Sequence, residues 1–187
     1  VVTVTTPAGF VPTLTGAGTT SNDSSTGSAT STDLTTNGSS DTTLDFGFVR
    51  PVTVGNYVWK DTNRDGVQDA NELGIPGVTV TLTDVAGNPV TDASGNPVLP
   101  LVTDASGSYM FTYLFPGQYK VTVTDPAGYI PTLTGAGTVI TDSSTGNVTS
   151  AVLLSGQADT TLDFGFVKPM VSVGDLVWAD TNRDGIQ

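Results

Sequence analysis

Residues 61–72, DTNRDGVQDANE, have the spacing of a twelve-residue, EF-hand-like calcium loop. The oxygen donors at positions 1, 3, 5, 7, 9 and 12 would be Asp61, Asn63, Asp65, the backbone carbonyl of Val67, Asp69 and Glu72. Position 6 is a glycine, where the chain must turn sharply, and the only glutamate of the chain falls where a bidentate carboxylate is needed. The spacing therefore predicts a Ca²⁺ site; the alternative is a polar surface turn rich in Asp and Asn.

The loop pattern recurs at the end of the chain. Residues 180–187, DTNRDGIQ, repeat its first eight positions. The corresponding predicted calcium ligands are Asp180, Asn182, Asp184 and Ile186, the last through its carbonyl.

A second group of acids, Asp84, Asp92 and Asp104, is predicted at turns close to the first loop. These residues could form a second cation site. The alternative is that each aspartate initiates its own turn by accepting hydrogen bonds from the local backbone. Asp125, Asp142, Asp159 and Asp163 are interpreted as turn and surface residues.

Composition excludes several classes of function. The 187 residues contain no cysteine and no histidine, so disulfides, thiol nucleophiles and histidine-based catalysis are absent. The net charge of −12 argues against nucleic acid or an anionic membrane as a partner. No stretch approaches the ~20 apolar residues of a membrane span. The acids lie in turn signals with few aromatic neighbours, so we expect no enzymatic activity. A chain that begins VVTVTTP, without Met or signal peptide, is expected to be a piece of a longer extracellular protein.

An internal repeat of 119 residues, with one-residue slips, organises the chain. VTVTTPAGF at 2–10 returns as VTVTDPAGY at 121–129, and DTTLDFGFV at 41–49 returns at 159–167. We therefore predict the C-terminal half of one repeat at 1–50, a complete repeat at 52–168, and the start of another at 171–187. The short junction around Pro169 predicts stacked modules with restricted movement, and the expected partners are neighbouring repeats of the same chain.

The apolar residues of the complete repeat alternate with a period of two, which is typical of β-strands with one buried face. Inward residues are expected to include Val78, Val80 and Leu82 in one strand and the aromatic residues 109, 111 and 113 in another. The predicted strands are 56–60, 78–84, 98–103, 108–113, 119–124, 152–154 and 160–166, with a further short strand near 138–141. Short strands separated by regular turn signals predict an all-β, antiparallel β-sandwich.

Two segments carry a family resemblance, VGNYVWKDTNRDGVQDANELGIPGVTVTLTD at 54–84 and TDASGSYMFTYLFPGQYKVTV at 103–123. They resemble the calcium-binding B-type repeat of serine–aspartate-repeat surface adhesins, which is related to the collagen-adhesin B-type domain. The resemblance implies a tandem immunoglobulin-like β-sandwich of reversed topology, bound Ca²⁺, and a bacterial cell-surface location.

Three hypotheses of function follow. The first is a structural stalk or filament module that bound calcium makes rigid. The second is an adhesive or carbohydrate-binding module, and the third is a subunit of a self-assembling extracellular fibre whose partners would be like chains.

Overall fold

The computed structural model describes residues 1–144, 146–169, 174 and 177–186. In the predicted start of the following repeat, residues 171–173, 175–176 and Gln187 lie outside this part. The described residues form strands, turns and bends without a helix. In chain order the strands are β1 Val2–Thr3, β2 Val11–Pro12, β3 Ser28–Ala29, β4 Phe48–Val49, β5 Val52–Lys60, β6 Thr79–Asp84, β7 Leu101–Val102, β8 Ser108–Leu114, β9 Tyr119–Val123, β10 Ile130–Pro131, β11 Asn147–Thr149, β12 Ala158–Asp159 and β13 Phe164–Val167.

The first sheet is organised around β5, its longest strand. β8 pairs with β5 in the antiparallel sense, with a register shift between Val52 and Val54. β13 and β12 both pair with β5 in parallel, β13 near its end and β12 near its start. β10 extends the sheet by pairing with β13. The apolar residues Val54 and Val58 of β5 are fully buried, which makes this strand the centre of the sheet.

The second sheet has the strand order β11-β9-β6-β7 and is antiparallel throughout. Its inner face carries the predicted alternating apolar residues. Val80 and Leu82 of β6 lie opposite Val123 and Val121 of β9, and all four are buried. These cross-strand pairs form one wall of the core.

The two sheets enclose a single apolar core in the complete repeat. It contains residues of both sheets, including Phe164 and Phe166 of β13 and the aromatic side chains of β8. Tyr109 packs edge-on against Phe111 with 6.2 Å between ring centroids. The all-β, immunoglobulin-like sandwich predicted from the sequence is confirmed. It is not antiparallel throughout, because β12 and β13 pair with β5 in parallel.

Several strand predictions need correction, and among them the predicted strand 160–166 begins only at Phe164. Tyr113 does not share the buried face of Tyr109 and Phe111, because it adopts a positive φ of 61° and is 43% exposed, while Leu114 enters the core. Residues 138–141 form a hydrogen-bonded turn, in which Thr138 O accepts from two later amides, and not a strand. The predicted strand 98–103 is reduced to β7. Residues 152–154 contribute only the Leu153–Gly117 bridge.

Residues 1–50 repeat the pairing of the complete repeat. Val2 of β1 lies opposite Ala29, as Val121 lies opposite Val148. β2 pairs with β4 in the same register as β10 with β13. The local fold therefore follows the internal repeat, while the domain boundaries themselves stay predictions.

Candidate metal centre

The predicted calcium loop connects the two sheets, since it follows β5 and precedes β6. The Lys60 N–H donates to Leu73 O at 2.9 Å, so the two ends of the loop are joined. The Asp61 N–H donates to Phe166 O of β13, also at 2.9 Å. Farther along, Gln68 N–H donates to Thr141 O at 2.7 Å, and Val67 forms an isolated β-bridge with Asp142. Both ends and the middle of the loop are thus held by backbone contacts.

Asp61 organises the first half of the loop. Its side chain is 2% exposed, although aspartate is rarely buried without partners. The Arg64 N–H donates to Oδ1 at 2.5 Å and the Gly66 N–H to Oδ2 at 2.9 Å. The Thr132 hydroxyl also donates to Oδ2. Three donors therefore hold this carboxylate in one orientation.

Gly66 allows the sharp turn at position 6. Its φ is 76°, a region that favours glycine. A Cβ built on Gly66 would lie 2.6 Å from the Leu133 carbonyl oxygen, so the backbone of residues 132–133 covers the loop closely. Glycine is needed here for both conformation and space.

The carboxylates of the second half converge on shared donors. The Asn63 side-chain amide donates to Asp65 Oδ2 at 2.9 Å and to Asp69 Oδ2 at 3.0 Å. Glu72, which is 7% exposed, accepts from Thr62 N–H at 2.5 Å and from Asp69 N–H at 3.2 Å. The Asn63 amide thus bridges the carboxylates of Asp65 and Asp69. A cation at the same place would be attracted to them even more strongly.

The donor chemistry of the loop fits calcium, because all six predicted positions offer oxygen. Two carboxylates already meet at one donor group, and the turn at Gly66 has the required conformation. The carboxylates nevertheless accept hydrogen bonds from the protein and do not converge on one point. In the described residues, no three acidic side chains are close enough to hold a metal ion. Binding would therefore require small side-chain rearrangements, and the ligand assignment stays a prediction.

The second copy of the loop has the same local hydrogen bonds. Gly185 N–H donates to Asp180 Oδ2 at 2.9 Å, and the Asn182 amide donates to Asp184 Oδ2 at 2.6 Å. Ile186 N–H donates to Asp184 Oδ1 at 2.9 Å. All these residues are exposed, in contrast to Asp61.

Asp84, Asp92 and Asp104 each occupy a turn of their own. Asp84 accepts from the Asn88 backbone and side chain, both at 2.8 Å. Asp92 accepts from the amides of residues 94 and 96, and Asp104 from those of residues 106 and 108. These hydrogen bonds lower the pKa of all three carboxyls, chiefly through the Asn88 side chain for Asp84, the Asn96 backbone for Asp92 and the Ser106 hydroxyl for Asp104. The structure does not bring the three together, and their contacts are those of turn-initiating aspartates.

Sequence reasoning missed two buried acids, which were interpreted as turn and surface residues. Asp159 in β12 is 6% exposed, and Asp163 is fully buried next to β13. A signal was available, because the alternation in LDFGF places this aspartate and the two phenylalanines on opposite faces of a strand. The interpretation failed because that second face is covered by residues 130–144 instead of facing solvent.

None of the described residues belongs to a helix long and apolar enough to cross a lipid bilayer. Tyr109 and Phe111, which could have formed a sugar-stacking platform on an exposed face, lie in the core. The Tyr109 hydroxyl donates to Leu162 O at 2.6 Å, so its polar end is used inside the protein.

Comparisons with known proteins agree with the resemblance. Residues 52–166 match the SdrD B-like domain family. Serine-aspartate repeat-containing protein F of Staphylococcus epidermidis is 44% identical over 184 residues, which is 97% of this chain and 11% of that protein. Serine-aspartate repeat-containing protein D of Staphylococcus aureus strain Newman is 46% identical over 157 residues, covering 82% of this chain and 11% of that protein. The chain thus spans about a tenth of the length of these relatives.

Among solved structures, the minor pilin GBS52 of Streptococcus agalactiae has a TM-score of 0.47 at 14% identity, covering 68% of this chain and 49% of that one. The shaft pilin SpaA of Lactobacillus rhamnosus GG has a TM-score of 0.38 at 13% identity, covering 70% and 53%. The family assignment rests on the sequence matches. The chain belongs to the SdrD B-like domain family, whose members are structural repeats of extracellular bacterial surface adhesins and not an enzyme family.

Proposed function

We propose that the chain is a stalk or filament segment whose modules are made rigid by calcium bound at residues 61–72. The observation that carries this proposal is the position of the loop. It contacts β13 through Asp61, the 138–142 turn through Gln68, and the start of the junction to the next repeat through the Arg64 guanidinium, which donates to Lys168 O at 3.1 Å. A metal that fixes this loop would restrain all three segments together.

Charge supports the same proposal. The loop carries four carboxylates against one cation, Arg64, whose guanidinium contacts a carbonyl. Without metal these carboxylates repel one another over a few ångströms. A divalent cation that binds the folded loop better than the unfolded chain would stabilise the module by mass action. The modules then act mechanically and positionally, without catalysis.

Neighbouring repeats of the same chain are the proposed partners. Arg50, the last residue of the predicted preceding half-repeat, donates its N–H to Ser155 Oγ at 2.8 Å and accepts from Gly156 N–H at 3.1 Å. Its guanidinium lies 4.8 Å from the centre of the Phe10 ring. These contacts between the preceding half-repeat and the complete repeat favour a restricted arrangement of successive modules over free movement.

The test is thermal unfolding of the 187-residue chain in calcium and in chelator. Calcium at about 100 times its Kd would add about 2.7 kcal/mol to the free energy of unfolding. Glu72→Gln should remove this increment, whereas Gln118→Glu, which adds a carboxylate far from the loop in sequence, should retain it. An unchanged melting temperature of the wild type on chelation would refute a structural metal. Small-angle X-ray scattering of a longer array should then show a greater maximum dimension with calcium than without it, as a rigid stalk requires.

A further inference from the structure

The connection between the preceding half-repeat and the complete repeat consists of two residues. β4 ends at Val49 and β5 begins at Val52, so only Arg50 and Pro51 lie between them. Proline fixes its own φ and restricts the residue before it to extended conformations. Val52 is fully buried in the core of the complete repeat, which fixes the connection on that side. A linker this short and stiff leaves few relative orientations of the two modules.

Arg50 contacts both modules. On the side of the half-repeat, its guanidinium carbon lies 4.8 Å from the centre of the Phe10 ring, which is a cation–π distance. On the side of the complete repeat, its N–H donates to Ser155 Oγ at 2.8 Å and its carbonyl accepts from Gly156 N–H at 3.1 Å. The turn at 155–156 fits closely against the arginine side chain, because a Cβ built on Gly156 would lie 3.3 Å from Arg50 Cβ and Cδ. One residue thus joins an aromatic ring of the first module to a turn of the second.

A second region of contact involves apolar residues. Thr13, Leu14 and Val49 of the half-repeat and Phe115 and Pro116 of the complete repeat line one cleft of about 200 Å³. Leu14 is 73% exposed, and Phe115 is partly buried. Apolar side chains of both modules therefore lie at one cleft, where removing their surface from water favours keeping the two module ends together.

The internal repeat presents the same residue types at the end of the complete repeat. The corresponding residues are Tyr129 for Phe10, Leu133 for Leu14 and Lys168 for Arg50. Leu133 is 61% exposed and Lys168 is exposed as well. A lysine ammonium group can lie over a tyrosine ring as a guanidinium lies over phenylalanine. The complete repeat therefore offers the following module a surface of the same kind.

The turn that receives Arg50 is repeated too. Asn37 and Gly38 correspond to Ser155 and Gly156, and the two glycines have φ values of 86° and 79°. Asparagine, like serine, offers a side-chain oxygen as an acceptor. A Cβ built on Gly38 would have nothing within 4 Å, so this copy of the turn is open. Each module thus has one surface for the module before it and another for the module after it.

We propose that successive repeats dock through one recurring interface, in which the turn at 155–156 of one module receives the basic residue that ends the module before it. The partner at each end is another repeat of the same chain. None of the interface residues is a predicted calcium ligand, and residues 1–50 contain no counterpart of the loop at 61–72. The inference rests on the proposed stalk function, but it assigns the restricted movement at the junction to this interface and not to calcium.

The experiment measures the distance between the two modules of the 187-residue chain by electron paramagnetic resonance of paired spin labels. The chain contains no cysteine, so Ala8→Cys and Ala86→Cys, both at exposed turn residues, place one label on each module. Ala127 is the counterpart of Ala8, so Ala127→Cys with Ala86→Cys gives a matched pair within the complete repeat. In calcium and in chelator, the distance distribution between modules should be as narrow as the distribution within the module.

Removal of the interface side chains should release the junction. Arg50→Ala combined with Ser155→Ala should broaden the distribution between modules about twofold, as expected for domains without a fixed interface, and leave the distribution within the module unchanged. Arg50→Lys should keep the distribution narrow, since a lysine ends the complete repeat at the same position. Arg183→Ala, at an exposed arginine outside the interface, should leave the width unchanged.

Three results would overturn the proposal. The first is a wild-type distribution that is much broader between modules than within the module. The second is an unchanged width after Arg50→Ala with Ser155→Ala, and the third is a broadening on chelation that affects only the pair between modules. Failure of the proposed calcium function is distinguishable, because it would appear as an unchanged melting temperature on chelation while the label distances stayed as expected here.

Discussion

Replacing Asp61 by alanine should destabilise the complete repeat even without metal. The carboxylate accepts three hydrogen bonds, from the amides of Arg64 and Gly66 and from the Thr132 hydroxyl. Alanine leaves all three donors without this acceptor in a region where water has little access. The Gly66 donor is fully buried, and a buried donor that loses its partner has an energetic cost of about 1–3 kcal/mol.

Summed over one buried and two partly buried donors, the expected loss is about 3–5 kcal/mol in the free energy of unfolding. For a module of this size that corresponds to a decrease of roughly 15 °C in melting temperature. In calcium, the metal-dependent increment would be lost in addition, about 2.7 kcal/mol at 100 times Kd. Structural and metal-dependent losses can therefore be measured separately in the same variant.

The matched control is Asp180→Ala in the second copy of the loop. Asp180 accepts one hydrogen bond in an exposed position, so its replacement should cost less than about 1 kcal/mol in chelator. Urea unfolding followed by tryptophan fluorescence gives both free energies, with Trp59 buried beside the loop as the reporter. Equal losses for Asp61→Ala and Asp180→Ala in chelator would refute the argument from buried hydrogen bonds.

Three further predictions concern local features of the fold. Gly165→Ala should lower the free energy of unfolding by about 1–3 kcal/mol, because its Cβ would lie 2.6 Å from the Trp59 ring. Gly146→Ala, whose Cβ would have nothing within 4 Å, should be nearly neutral. Equal effects of the two changes in thermal unfolding would contradict this prediction. Tyr113→Gly should lower the free energy of unfolding by about 1–2 kcal/mol less than Met110→Gly on the same strand. Only Tyr113 has a positive φ, which glycine adopts without strain. The reverse order of the two variants in urea unfolding would contradict this argument. The pKa of Asp41 is lowered to about 2, first by the Thr43 hydroxyl, so its folded pKa lies below the unfolded value of 3.8. The stability that Asp41 contributes is complete above the unfolded pKa and is lost as the pH falls through about 2; a carboxyl NMR titration with a midpoint at 3.8 would contradict it.

The sandwich could be predicted because its core strands follow a simple period. In β6 and β9, apolar residues at every second position face one core, so the pattern identifies both the strands and their buried faces. The sharp turn within residues 61–72 could also be predicted, since a glycine at position 6 and polar residues at fixed spacing specify a local conformation, while calcium binding there stays a prediction. The positive φ of Gly66 agrees with that expectation.

Features set by distant parts of the chain could not be predicted. Tyr113 has a backbone conformation unusual for a tyrosine, and nothing in the neighbouring residues indicates that Leu114 replaces it in the core. Asp163 looked like a surface acid because the pattern of β13 gives no information about what covers its second face. Residues 138–141, Thr-Val-Ile-Thr, are all β-branched and therefore favour a strand, yet Val139 and Ile140 are exposed in a turn.

The covered outer face links these observations. Residues 130–144 contribute few buried apolar side chains, so hydrophobic burial alone does not hold this segment on the sheet. Polar contacts hold it instead: Thr132 to Asp61, Thr141 to Gln68, and Ser143 to Gly165. Two of these three contacts involve the predicted calcium loop. Calcium bound at that loop would therefore also order this segment, and removal of calcium should loosen residues 130–144 before it unfolds the core.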